Sequence, residues 1–71
     1  MTIKEVLDRT TTFFKEKKFD SPRLDAEILI SNALGLKRID LYLKFESPLS
    51  ENEINLCREF VKRRSSGEPV A

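Results

Sequence analysis

Seventy-one residues make one small domain at most, and a chain of this length hides only about 60% of its unfolded surface on folding, so a deep catalytic cleft is not expected. With 39% apolar and 35% charged residues, a net charge of +1 and only two glycines and three prolines, the composition is that of an ordered helical domain with no long-range pull toward phosphate backbones or anionic lipid. There is no histidine, which removes the commonest general base, the Ser-His and Cys-His nucleophile pairs and ordinary zinc sites.

The first segment opens with Thr2 three residues before Glu5, the pattern of a capping box. Ile3, Val6, Leu7, Thr10, Phe13 and Phe14 then recur near a period of 3.6, which predicts a helix from about Thr2 to Lys18. Glu5 and Arg9 stand four apart, in the order that favours an ion pair along the helix.

Ser21-Pro22 is a second start signal: Ser accepts amide hydrogen bonds as N-cap, and Pro at the first helical position has its φ already set. Asp25 and Glu27 suit the positive end of the helix dipole. The run Leu24, Ala26, Ile28, Leu29, Ile30, Ala33, Leu34 is apolar over more than one stripe, and Gly35 offers a left-handed stop. This helix is expected to be the most buried.

Residues 36–45 alternate like a strand at Ile39, Leu41, Leu43 and Phe45, and also fit a helical stripe at Leu36, Ile39, Tyr42 and Leu43. No other segment alternates, and a lone strand leaves its ladder unpaired, so a short helix is expected. After Ser47-Pro48, the residues Leu49, Ser50, Glu53 and Ile54 occupy the positions of a hydrophobic staple around a capping box. Ile54, Cys57, Phe60, Val61 and Arg64 continue one face, Leu56 widens it, and Ser65-Ser66-Gly67 ends it. The fold class is therefore all-α, a bundle of four to five short helices over residues 1–64, with 65–71 read as the start of a linker. Chain entropy and apolar burial nearly cancel at this size, so a stability of only a few kcal/mol is expected and the caps matter.

Cys57, on the apolar face with no histidine to activate it, reads as a buried structural thiol. The cation clusters Lys15-Lys17-Lys18 and Lys62-Arg63-Arg64 fall at helix ends, where the dipole favours them. Arg23 and Asp25 share a helical turn and read as structural, bonded to backbone or to each other. Tyr42 reads as half-buried core, not as a stacking platform. The carboxylates are read as scattered over exposed faces, with no Asp-x-Asp-x-Asp loop, which gives metal binding and paired acid/base catalysis no support. Gly35 and Gly67 are too far apart for a glycine-rich phosphate loop. No catalytic, cofactor-binding or metal-binding residue is assigned.

Taken together, Ser21-Pro22-Arg23-Leu24-Asp25-Ala26-Glu27-Ile28-Leu29, Ala33-Leu34-Gly35, Leu41-Tyr42 and Arg63-Arg64-Ser65-Ser66-Gly67-Glu68-Pro69-Val70-Ala71 resemble the amino-terminal domain of the bacterial release factor glutamine methyltransferases, the HemK family. The resemblance covers nearly the whole chain in order and spacing. It implies a parent enzyme in which a small helical domain precedes a larger Rossmann-like domain that binds S-adenosylmethionine. That enzyme methylates the side-chain amide of glutamine in the Gly-Gly-Gln motif of peptide chain release factors. In such a family an Asn-Pro-Pro-Tyr motif holds the weakly nucleophilic amide in line for transfer. This sequence has no Asn-Pro-Pro-Tyr and no glycine-rich loop, so no catalytic residue carries over, and ending past Gly-Glu-Pro suggests an excised domain. The resemblance implies a substrate-recognition domain whose partner is the release factor, expected to act as a monomer; the single cysteine, Cys57, and an N-terminus without a signal-peptide-like apolar core give the cytoplasm as the expected address, and the net charge of +1 argues against direct nucleic-acid or membrane contact. Clustering nominates Lys37, Arg38, Arg63 and Arg64 as partner-binding cations. A stand-alone helical module that binds nucleic acid, the ribosome or a protein is the rival reading, and its nucleic-acid form predicts binding that weakens steeply with salt.

Overall fold

A computed structural model describes residues 1–66. In chain order it contains α1 (Ile3–Glu16), α2 (Pro22–Leu34), α3 (Arg38–Leu43) and α4 (Glu51–Ser65), and no strand among the described residues. The all-α reading holds, and the ambiguous segment after Gly35 is a six-residue helix as expected. Helix α2 lies at the centre and packs against each of the other three.

Helix α1 begins with the expected capping box: the Glu5 amide donates to Thr2 Oγ1 and the Thr2 amide to Glu5 Oε1. The other first-turn donors find partners far along the chain, with the Ile3 amide on the Ser47 carbonyl (3.2 Å) and the Lys4 amide on the Phe45 carbonyl (3.0 Å). An isolated bridge between Thr2 and Pro48 and a bond from the Leu49 amide to the Met1 carbonyl continue this seam. The segment between α3 and α4 thus serves as the N-terminal cap of α1, which accounts for backbone donors that a helix start otherwise leaves to water. The Glu5–Arg9 pair expected from spacing is not among the ion pairs of the structure, because the Glu5 carboxylate is committed to the cap.

Helix α1 stops at Glu16, two residues before the sequence expectation, because Lys18 takes the left-handed conformation (φ 61°). The Lys18 amide returns to the Lys15 carbonyl and the Phe19 amide to the Phe14 carbonyl, a Schellman pair of bonds. The hydrophobic contact that accompanies this motif is a stack of Phe19 on Phe14, ring centroids 4.6 Å apart. Packing of Phe19 onto the core sets this stop, at the expense of left-handed strain in a lysine.

Ser21 is the N-cap of α2, but its side chain makes no capping hydrogen bond, contrary to the sequence reading; Pro22 stands at the first helical position as expected. Gly35 takes the left-handed stop (φ 67°), and the Leu36 amide closes on the Ser31 carbonyl at 2.9 Å. Helix α4 opens with the expected box of Ser50 and Glu53, and Ser66 is its C-cap. Of the expected linker at 65–71, Ser65 is the last residue of α4 and Ser66 its C-cap, while the expected glycine stop and the remainder, 67–71, lie outside the described residues.

The core comprises Ile3, Val6, Leu7 and Phe14 of α1, Ala26, Leu29 and Ile30 of α2, Leu41 of α3 and Cys57 of α4. Helix α2 is not alone in being buried: α1 contributes six buried residues, whereas Leu24 of α2 is exposed. Leu56 is also exposed, so the core-facing side of α4 is narrower than its sequence suggests.

The two left-handed positions predict substitutions of opposite sign. Open space surrounds the Cα of Gly35, so Gly35→Ala is destabilising through φ alone, by about 1 kcal/mol. Lys18→Gly relieves the same strain and is expected to stabilise by up to about 1 kcal/mol. Urea denaturation of the two variants beside the parent chain checks both signs.

Candidate functional site

The densest polar arrangement is built on Glu27, whose side chain is only 6% exposed. It sits in the middle of the apolar run of α2, four residues after Arg23, so one helical turn brings the two together. Arg23 Nε donates to Glu27 Oε2 at 3.2 Å, and Arg38 of α3 donates to Oε1 through both Nε (3.2 Å) and Nη2 (2.9 Å). The Tyr42 hydroxyl, one turn further along α3, donates to Oε2. Arg23 extends the chain of contacts to α1 through Asp8 Oδ1 at 3.0 Å. One carboxylate thus joins α2 to α3, and Arg23 carries the network on to α1.

Burial alone pushes the Glu27 carboxyl up, but the hydrogen bonds from Tyr42, Arg38 and Arg23 outweigh it and hold the group below its ordinary value. The network therefore needs the ionised form, and with no unpaired acid in it the cluster is a structural clamp, not an acid/base pair.

Glu27 departs from the expectation that the carboxylates lie on exposed faces, because it is buried. Its mark in the sequence is a single acid in an apolar run, one turn after an arginine. The Arg23–Asp25 pairing is likewise corrected, since Arg23 binds Glu27 and Asp8, while Asp25 faces Arg64 at 3.8 Å. Tyr42 is half-exposed, held by its hydroxyl and by a tilted contact with Phe45 at 5.2 Å.

The four nominated cations occupy two regions. Lys37 and Arg38 open α3, where the exposed Lys37 donates its amide to Asp40 and Arg38 joins the Glu27 clamp. Arg63 and Arg64 lie in the last turn of α4; Arg63 pairs with Glu59 on the surface at 3.1 Å, and Arg64 stacks over Phe19 at 4.4 Å. Arg38 and Arg64 reach Glu27 and Asp25, which are about 200° apart around α2, so the two regions lie on different sides of that helix.

Cys57 is buried as expected; its thiol is pushed up to about 11 by burial and by the charge of Glu53. Among the described residues no group of three metal-ligating side chains gathers, and no helix is long and apolar enough to cross a membrane.

The family model for the PrmC N-terminal domain matches residues 5–71. The chain belongs to this family. Relatives of the family include the release factor glutamine methyltransferase of Rhodopirellula baltica, 47% identical over 99% of this chain and 24% of the relative. The enzymes of the same name from Chlorobaculum tepidum and Geobacter sulfurreducens are each 45% identical over 97% of this chain and 24% of their own length. The chain spans about a quarter of the length of these curated relatives, and no solved structure matches it. The family thus pairs the helical domain seen here with a much longer enzyme.

Two measurements test the site. Replacing Glu27 with Gln is expected to cost about 1–3 kcal/mol, less than a fully buried ion pair because both arginines are half-exposed and can turn to water. Because folding lowers the Glu27 pKa, its contribution is complete above the unfolded value of about 4.3 and is lost as pH falls through the folded value. The stability gap between parent and E27Q, followed by urea titration, is expected to be constant at neutral pH and to close in acid. At pH 8 a thiol with a pKa near 11 is about one-thousandth ionised, so Cys57 in the folded chain is expected to alkylate at least about a hundredfold more slowly than in urea.

Proposed function

We propose that this chain is the substrate-recognition domain of a release factor glutamine methyltransferase, which docks and orients the release factor while the remainder of the longer enzyme binds S-adenosylmethionine and methylates the glutamine amide of Gly-Gly-Gln. The observation that carries this reading is the membership of residues 5–71 in a family whose curated members bear that enzyme name. The distribution of side chains supports it. The buried ionisable groups are spent on cohesion, as the Glu27 clamp and the raised Cys57 thiol both illustrate. In this reading the domain works in the cytoplasm as a monomer, and its product is geometry: it raises the effective concentration of the release factor at a distant reacting centre.

Protein docking is favoured over nucleic-acid binding because Arg23, Arg38, Arg63 and Arg64 are all neutralised by carboxylates of the same chain. A phosphate-tracking surface keeps its arginines free, whereas the two without an ion pair among the described residues, Arg9 and Arg58, edge an apolar groove between α1 and α4.

Of the nominated partner contacts, Lys37 and Arg63 can be tested without disturbing the fold, since Lys37 is exposed and the Arg63–Glu59 pair lies on the surface. In the complete enzyme, K37A/R63A is expected to raise KM for the release factor severalfold with kcat and the KM for S-adenosylmethionine unchanged. An unchanged KM for the release factor discards those two contacts. Deletion of the whole domain without any change in that KM discards the recognition role.

A further inference from the structure

Between α1 and α4 runs a groove of about 370 Å³ whose floor is formed by Val6, Phe13, Ile54 and Val61 over the Cys57 thiol. Its rim is cationic, with Arg9 from α1 and Arg58 and Lys62 from α4, and no carboxylate lines it. The state of these cations sets the groove apart. Four of the six arginines in the chain are in ion pairs, and the two that have none among the described residues, Arg9 and Arg58, both stand on this rim.

The acids nearest in sequence are committed elsewhere: Glu5 and Glu53 to helix caps, Asp8 to Arg23 and Glu59 to Arg63. An apolar trough edged with unneutralised guanidinium groups is complementary to apolar side chains flanked by carboxylates.

Spacing narrows the occupant. The α4 wall extends from Ile54 to Ser65, about 16 Å or three turns, and Arg58 and Lys62 are one turn apart on it, about 6 Å along the axis. Carboxylates four residues apart on a helix have the same spacing. We propose that this groove docks an acidic amphipathic helix of a protein partner, its apolar ridge on Val6, Phe13, Ile54 and Val61 and its carboxylates on Arg9, Arg58 and Lys62. The surface is distinct from Lys37 and Arg38 on α3, and the proposal does not depend on the methyltransferase reading.

Three designed fifteen-residue helical peptides titrated into the 71-residue chain test it: one with a leucine ridge flanked by glutamates, one with the same ridge flanked by lysines, and one with the glutamates kept and the leucines replaced by serine. Only the first is expected to bind saturably, with amide shifts in proton–nitrogen NMR spectra concentrated at residues 6–13 and 54–62. Affinity is expected to fall at least about tenfold in R9E/R58E, which should instead gain affinity for the lysine peptide. The control K4E/K44E, with the same change of net charge, should bind as the parent does, and circular dichroism verifies that both variants are folded. Equal binding of the acidic and basic peptides, shifts outside the groove, or no binding overturns the proposal. So does concentration-dependent self-association in sedimentation that R9E/R58E abolishes, because a second copy of the chain then fills the groove.

Discussion

The bundle is organised around a single negative charge held out of water. Glu27 is buried on the central helix and would be costly there alone, yet Arg23, Arg38 and Tyr42 place their donors on its two oxygens. Because those donors come from α2 and α3, the charge ties these two helices directly, and Arg23 extends the network to Asp8 of α1. Helix α3 depends on it most. Six residues are far below the length at which a helix persists by itself, and α3 buries only Leu41.

The second constraint is the capping of α1 by the chain that follows α3. Amides of Ile3 and Lys4 on carbonyls of Ser47 and Phe45 tie the first helix to the approach of the last. The clamp grips α3 through Arg38 and Tyr42, and the seam holds the chain that follows it, so this short helix is tied down both along its length and just beyond its C-terminal end. Such cross-linking by hydrogen bonds compensates for the small apolar core that 71 residues can build.

What the sequence makes legible is what is settled within a few residues. The Thr2–Glu5 and Ser50–Glu53 boxes and the Gly35 stop are written in residues three or four apart, and the structure contains all three. The end of α1 is not legible locally, because Phe19 docking on Phe14 overrides local propensity at Lys18. The burial of Glu27 is illegible for the same kind of reason: its partners Arg38 and Tyr42 arrive 11 and 15 residues later, from another helix. The motifs that mark the family are partly these structural residues, since Arg23, Asp25, Glu27 and Tyr42 all carry contacts that hold the bundle together. Legibility of the family thus exceeded legibility of the site.

A domain that spends four of its six arginines on internal ion pairs offers partners what is left over, which here means the exposed Lys37 and the apolar groove with its unpaired rim. Lys37 stands at the start of α3, the helix that depends most on the Glu27 charge, whereas the groove lies between α1 and α4. The most direct measurement of that dependence is native-state amide hydrogen exchange in Glu27→Ala. If the charge is the anchor, the amides of α3 exchange at rates close to those of an open chain while Leu7, Ile30 and Cys57 keep most of their protection. A uniform loss of protection in all four helices, or an α3 as protected as in the parent chain, contradicts the account.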